Sequence, residues 1–370
     1  LRDPRLPEDE RFLVVVANTD EYLDTFDATP TDVLLAIFSE VGAALRGVGI
    51  DLKDSYLLKR LRDVKALALS DVALEEVGLH VATASLKAVL KRDPDNRREV
   101  RKRLEPQLTS LREELNRVLD EARLGLKRKG FRDIVIVLDA LDRISLASGG
   151  EEGARLQRDF FIDKSAQLTG LNAHMVYTVP LDLVLFEGPV LSARYGTTPV
   201  VLPMIKVEEK DHSANSDGYK ILRELAQKRL GDVPLESVVD PEALDFLIRY
   251  SGGHARHFIS FLRNAALAAR DRRIDLAIAE EALGPTVETF ARMPRGYWAK
   301  LAALEATPDR QIDPDDPDVR KMLQLNYILE YRNGGIAKAR FDKRQTWYAV
   351  HPILRELSLF QDALAALKGP

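Results

Sequence analysis

The chain has no cysteine in 370 residues. That excludes a disulfide framework, a thiolate zinc site and a cysteine nucleophile, and it fits a cytoplasmic location. No apolar run approaches the roughly 20 residues that span a bilayer, so no membrane partner is expected, and no signal-peptide layout opens the sequence. Neither sign of charge dominates. The formal net charge is −4, which gives the chain as a whole no pull toward nucleic acid or an anionic surface. What is present is 45% hydrophobic and 30% charged, the balance of a soluble globular protein long enough for roughly two or three domains.

The most informative run is 134–144, Ile-Val-Ile-Val-Leu-Asp-Ala-Leu-Asp-Arg-Ile. Five β-favouring apolar residues predict a short strand buried on both faces, with Asp139 at its C-terminal end. Ligands bind at that end of the strands in α/β sheets. A carboxylate there suits a phosphate-bound Mg²⁺, which takes oxygen ligands from one or two carboxylates and from phosphates. This is a Walker B pattern, and Asp142 adds a second acid three residues on.

Around it, residues 12–17 predict another buried strand, followed by the polar Asn18, Thr19 and Asp20. Residues 31–45 have apolar positions at helical spacing. The charged stretch 93–129 reads as one long amphipathic helix, with Pro106 in its first turn or at a kink. Residues 64–92 carry alternating and helical signals together. A loop over 145–155, a helix from about Leu156, a strand at 174–179 and a further strand at 200–207 complete a parallel sheet covered by helices. Pro203 predicts an edge position or a bulge for the last of these strands.

Residues 210–217 form a polar linker, and 219–283 read as all-helical. Asp240-Pro241-Glu242 opens one helix with a cap, an N1 proline and an early acid. Helices at 297–304 and 318–325 precede a hairpin of strands 328–332 and 346–350, and a final helix covers 353–367. Helices followed by a hairpin describe a winged-helix domain.

Four pieces in this order resemble the STAND branch of AAA+-like P-loop ATPases, over residues 10–365. The first is the Walker B run, whose D-A-L-D-R ending is similar to the family's. The second is Ala173–Pro180, a strand ending in Thr178 at the place of the phosphate-sensing residue. The third is the Ser251–Arg263 segment, where Gly252-Gly253 breaks one helix and Arg256 falls in the first turn of the next, similar to the family's second sensor. The fourth is the Trp347–Leu357 segment, in which His351 matches the histidine that opens the last helix and packs on bound ADP.

The resemblance implies an α/β fold: a parallel-sheet P-loop NTPase core over 1–209, an α-helical lid over 210–288 and a winged-helix domain over 289–370. It implies ATP/ADP and Mg²⁺ as cofactors. Asp139 would hold the metal, Asp142 would orient water, Thr178 and Arg256 would sense phosphate, and His351 would hold the ADP form. An effector or self-association partner would follow, in signalling or defence.

The departures are specific. No segment fits the phosphate-cradling G-x-x-x-x-G-K-[ST]. The glycines Gly125 and Gly130 have the right separation, but the run continues Phe131-Arg132 into a strand. A P-loop and its strand upstream of Leu1 are one expectation; a relative that binds no nucleotide and acts as an interaction scaffold is the other. Ala140 stands where many relatives have a water-polarising Glu, Arg143 where others have Glu, and Pro352 where the last motif has Asp. Slow hydrolysis, suited to a switch, is the expectation. His254 and His257 are three apart, a spacing that suits a metal, but no cysteine or third ligand lies near them in sequence. Arg332, Lys338, Arg340, Lys343 and Arg344 make the hairpin locally basic, and DNA is the alternative partner they imply, as in winged-helix replication initiators.

Overall fold

A computed structural model describes residues 6–7, 10–24, 27–50, 94–144, 150–313, 315–333 and 346–368. The ambiguous stretch 64–92 lies outside the described residues. The chain divides into two compact units, Leu1–Pro199 and Val200–Pro370. Among the described residues no helix is long and apolar enough to cross a membrane.

The first unit is mixed α/β around a small parallel sheet, ordered β1 (Phe12–Asn18), β2 (Asp133–Asp139), β3 (His174–Tyr177). Asn18 aligns with Asp139 and Leu138 with Tyr177, so the three strands end together. Alternation sends Leu13, Val15, Ala17, Ile134, Ile136 and Leu138 into one core. Two helices supply much of the rest of it. One is α1 (Pro30–Gly47), in which Val33 to Phe38 are buried almost all round. The α1 N-terminus is fixed by Pro30 at its first turn and by Asp32, whose carboxylate accepts the Thr29 N–H at 2.9 Å.

The expected single helix over 93–129 is two, α2 (Pro94–Leu104) and α3 (Leu108–Arg128). A 3₁₀ turn at Glu105–Gln107 separates them, because Pro106 has no N–H to continue the ladder. The α2 helix carries Arg97 and Arg101, which are 2% and 7% exposed. They pair with Asp24, Asp27 and Asp32. The α3 helix turns Leu111, Leu115, Val118, Leu119, Ala122 and Leu126 inward. The helix expected from about Leu156 starts earlier, as α4 (Gly150–Arg158). It runs through a widened turn that buries Phe160, Phe161 and Ile162 into α5 (Ser165–Thr169), and α6 (Leu181–Tyr195) follows β3.

The opposite face of the sheet is less covered. Val16 is 44% and Val176 49% exposed.

The second unit is helical with one hairpin. Its helices are α7 (Ser216–Leu230), α8 (Leu235–Val238), α9 (Pro241–Tyr250), α10 (Ala255–Ala269), α11 (Leu276–Ala282), α12 (Gly284–Ala291), α13 (Arg295–Ala306) and α14 (Pro317–Gln324). Antiparallel β4 (Ile328–Arg332) and β5 (Thr346–Val350) then precede α15 (Pro352–Glu356) and α16 (Ser358–Lys368). The expected last helix is broken at Leu357, which is extended.

Residues 200–207 are not a strand. They belong to the second unit and are held by single hydrogen bonds. Met204 N–H donates to Glu330 O at 2.9 Å, Ile205 N–H to Gly253 O at 3.2 Å, and Asn215 N–H to Val207 O at 2.9 Å. Pro203 offers no ladder donor, and Val200 and Leu202 point to solvent. Met204 packs under Leu329, Tyr331, Trp347 and Ala349 of the hairpin. This close approach explains Gly253. Gly253 has φ +72°, and a Cβ there would lie 1.7 Å from Ile205 O.

Candidate functional site

In the first unit, the C-terminal ends of the three strands gather the polar residues. Asp139 is exposed and ends the central strand. Its carboxylate accepts the Ala140 N–H at 2.8 Å and its carbonyl accepts from Thr19 Oγ1 at 2.6 Å. Ala140 takes a left-handed conformation (φ 67°), an uncommon one for a residue with a Cβ, and so turns the chain sharply into a 3₁₀ turn, Leu141–Arg143. That turn carries Asp142, which is half-buried and has no hydrogen-bond partner among the described residues.

Thr178 follows β3, the strand paired with β2. Its N–H donates to Leu138 O at 3.1 Å, and its Oγ1 accepts the Leu141 N–H at 2.9 Å. The hydroxyl therefore clips the turn that holds Asp142. So Asp139, Asp142 and Thr178 come together at one sheet edge.

Two contributors there lie in the polar run at the end of β1 and were given no role from the sequence. Asp20 pairs with Arg143, and Asn18 Oδ1 accepts the Asp20 N–H at 3.1 Å. The signal for both was the polar Asn-Thr-Asp ending β1, which matches the end of β2 in register. The donors offered at this edge are oxygens from carboxylates and a hydroxyl, the set a hard cation such as Mg²⁺ takes. Among the described residues no group of three His, Cys, Asp or Glu could hold a metal by itself. Mg²⁺ bound with phosphates needs only one or two carboxylates from the protein.

Arg256 and His351 lie in the second unit. Arg256 is exposed in the first turn of α10. His254 precedes the helix, but its ring lies beside that of His257, with 4.3 Å between centroids. It is the N-cap, and its Nδ1 accepts the His257 N–H at 3.1 Å. His351 is wholly buried and caps α15, with Pro352 at its first turn. Its Nδ1 accepts the Ile353 N–H at 3.3 Å, which leaves the ring proton on Nε2. Nε2 then donates to His257 Nδ1, 3.1 Å away. Phe290 stands edge-on to the His351 ring at 4.9 Å.

Burial drives all three imidazoles down. His254 falls to about 4, His257 is lowered, and His351 lies well below its usual range, with its histidine neighbours adding to the shift.

Of the basic hairpin residues, Arg332 is described and is exposed at the end of β4. Lys338, Arg340, Lys343 and Arg344 lie outside the described residues. No protein-family model matches this chain, and no curated protein matches it.

Proposed function

We propose that this chain is the body of a nucleotide-dependent switch of the P-loop ATPase class, binding ATP and ADP with Mg²⁺. The observation that carries the reading is Asp139: an exposed carboxylate at the C-terminal end of the central strand of a parallel sheet, with one oxygen turned into the following turn. In this reading Asp139 holds the metal, which neutralises phosphate charge. Asp142 orients water from a turn that Thr178 fixes, and in the second unit the exposed guanidinium of Arg256 suits a phosphate. Ala140 in place of a Glu leaves the site without a second carboxylate beside the metal ligand, which favours slow turnover and a long-lived bound state.

His351 enters as the cap that fixes α15, since both its nitrogens are engaged. Helical lid and winged-helix roles for 210–288 and 289–370, with an effector or self-association partner, complete the proposal. The phosphate loop it requires has no match in these 370 residues.

The test is calorimetric titration of ATP and ADP, with and without Mg²⁺, into this chain and into any longer native product containing it. Asp139→Ala should weaken Mg²⁺-dependent ATP affinity roughly tenfold or more, and leave Mg²⁺-free ADP affinity close to wild type. Unchanged Mg²⁺-dependent affinity would remove Asp139 from the metal. No nucleotide binding by either protein would end the switch reading.

A further inference from the structure

An open groove of about 350 Å³ runs between α7 and α10. Its floor includes Leu225 and Ile259, and its walls carry Arg229, Arg256 and Arg263. All three arginines are exposed, no carboxylate lines the groove, and none of the three has an ion-pair partner among the described residues. That is unusual on a chain whose net charge is −4. Nearby arginines are matched: Arg223 pairs with Asp245, and Arg273 with Asp240.

The apolar character extends beyond the floor. On α10, Arg256, Ile259, Arg263 and Leu267 recur at steps of three and four, one helix face about 16 Å long. On α7, Ile221, Leu225 and Arg229 do the same. Ile221 is 49% and Leu267 71% exposed.

We propose that this groove docks an acidic amphipathic helix of a partner protein. Charge complementarity selects the sign of the occupant, and the apolar floor selects its form. Leucine or isoleucine side chains on one face of a helix would cover Leu225 and Ile259, while flanking glutamates would reach the three guanidiniums. A nucleic-acid backbone fits less well. The groove offers no aromatic ring for a base to stack on, and phosphates would lie against its hydrocarbon. The proposal does not depend on the nucleotide reading. Arg256 is shared between the two, whereas Arg229 and Arg263 belong to the groove alone.

The probe is a labelled synthetic peptide of about four helical turns. It carries leucines at i, i+4, i+7 and i+11 with glutamates on both flanks, and its binding to the full chain is followed by fluorescence anisotropy. Arg229→Glu with Arg263→Glu should weaken binding roughly tenfold or more, and Arg229→Gln with Arg263→Gln by a smaller factor. A scrambled peptide of the same composition should bind roughly tenfold more weakly than the ordered one. Three results would overturn the proposal. One is no binding of the ordered peptide, and another is equal binding of the scrambled one or of a single-stranded oligonucleotide of the same charge. The third is unchanged affinity in the glutamine variant with its melting temperature intact.

Discussion

Acid should destabilise the second unit before the carboxylates titrate, and the cause is the cluster His254, His257 and His351. Each is held neutral in the folded chain, so each has a lower pKa there than when unfolded. A base with a lowered folded pKa contributes its full stability above its unfolded value, near 6.5, and loses it as pH falls below that. Each pH unit below 6.5 costs about 1.4 kcal/mol per histidine that stays neutral. His254, at about 4 in the folded chain, stays neutral to pH 5 and alone costs about 2 kcal/mol between pH 7.5 and 5, and His257 and His351 add to the loss in the same direction.

His212 runs the other way. Its hydrogen bonds to Glu208 and Glu305 raise its pKa, so its contribution is present below 6.5 and is lost as pH rises. Glu208 and Glu305 are themselves lowered, so their contributions are lost only below about 4.5. One histidine offsets part of what three lose, and a net fall in stability remains.

The two tryptophans, Trp298 and Trp347, are both buried and both in the second unit. Urea unfolding followed by tryptophan fluorescence therefore reads that unit alone. His254→Asn keeps an N-cap acceptor and should reduce the pH slope by about a third. A stability that is flat from pH 7.5 to 5, or a slope unchanged in His254→Asn with His257→Phe, would refute the assignment.

Two further perturbations test the packing. Gly253→Ala forces a side chain into a left-handed residue and onto Ile205 O, breaking the bond between Ile205 N–H and Gly253 O. The second unit should lose about 3 kcal/mol, read as a lowered urea midpoint in tryptophan fluorescence; a loss under about 1 kcal/mol would show that residues 204–206 are not pinned there. In the first unit, Asp32→Ala strips a buried partner from Arg101 while Asp27 remains at 2.7 Å. The expected cost is about 3 kcal/mol, the low end for an orphaned buried charge, and far-UV circular dichroism in urea measures it.

Where structure depends on neighbours in sequence, the chain was readable. Both hairpin strands have the expected bounds, and the apolar run ending in Asp139 is the central strand. Pro106 and Gly252-Gly253 interrupt helices as their backbone chemistry requires. What was not readable depends on distant partners. Residues 200–207 have the composition of a strand, yet their hydrogen bonds go to Gly253 and Glu330, and no local pattern encodes that. His254 looked like the first residue of its helix because periodicity does not distinguish an N-cap from a first turn. The third histidine of the cluster, His351, lies 94 residues from His257 in sequence. The Asp20–Arg143 pair became visible only when the parallel register brought the ends of β1 and β2 together.

The five residues singled out for chemistry separate by what their polar atoms are already doing. His351 spends both nitrogens inside the fold, and Thr178 spends its hydroxyl on the Leu141 N–H. Substituting either would disturb structure whether or not a ligand binds, so loss of function in those variants would say little about chemistry. Asp139, Asp142 and Arg256 are different. Asp139 keeps an oxygen free beyond its bond to Ala140, Asp142 has no partner among the described residues, and Arg256 is exposed without an ion pair. An unpartnered charge is weakly coupled to stability and fully available to a ligand. Changes at Asp142 and Arg256 should leave stability within about 0.5 kcal/mol of wild type, Asp139→Ala should cost about 1 kcal/mol through its bond to the Ala140 N–H, and effects on nucleotide binding beyond these can be assigned to the site.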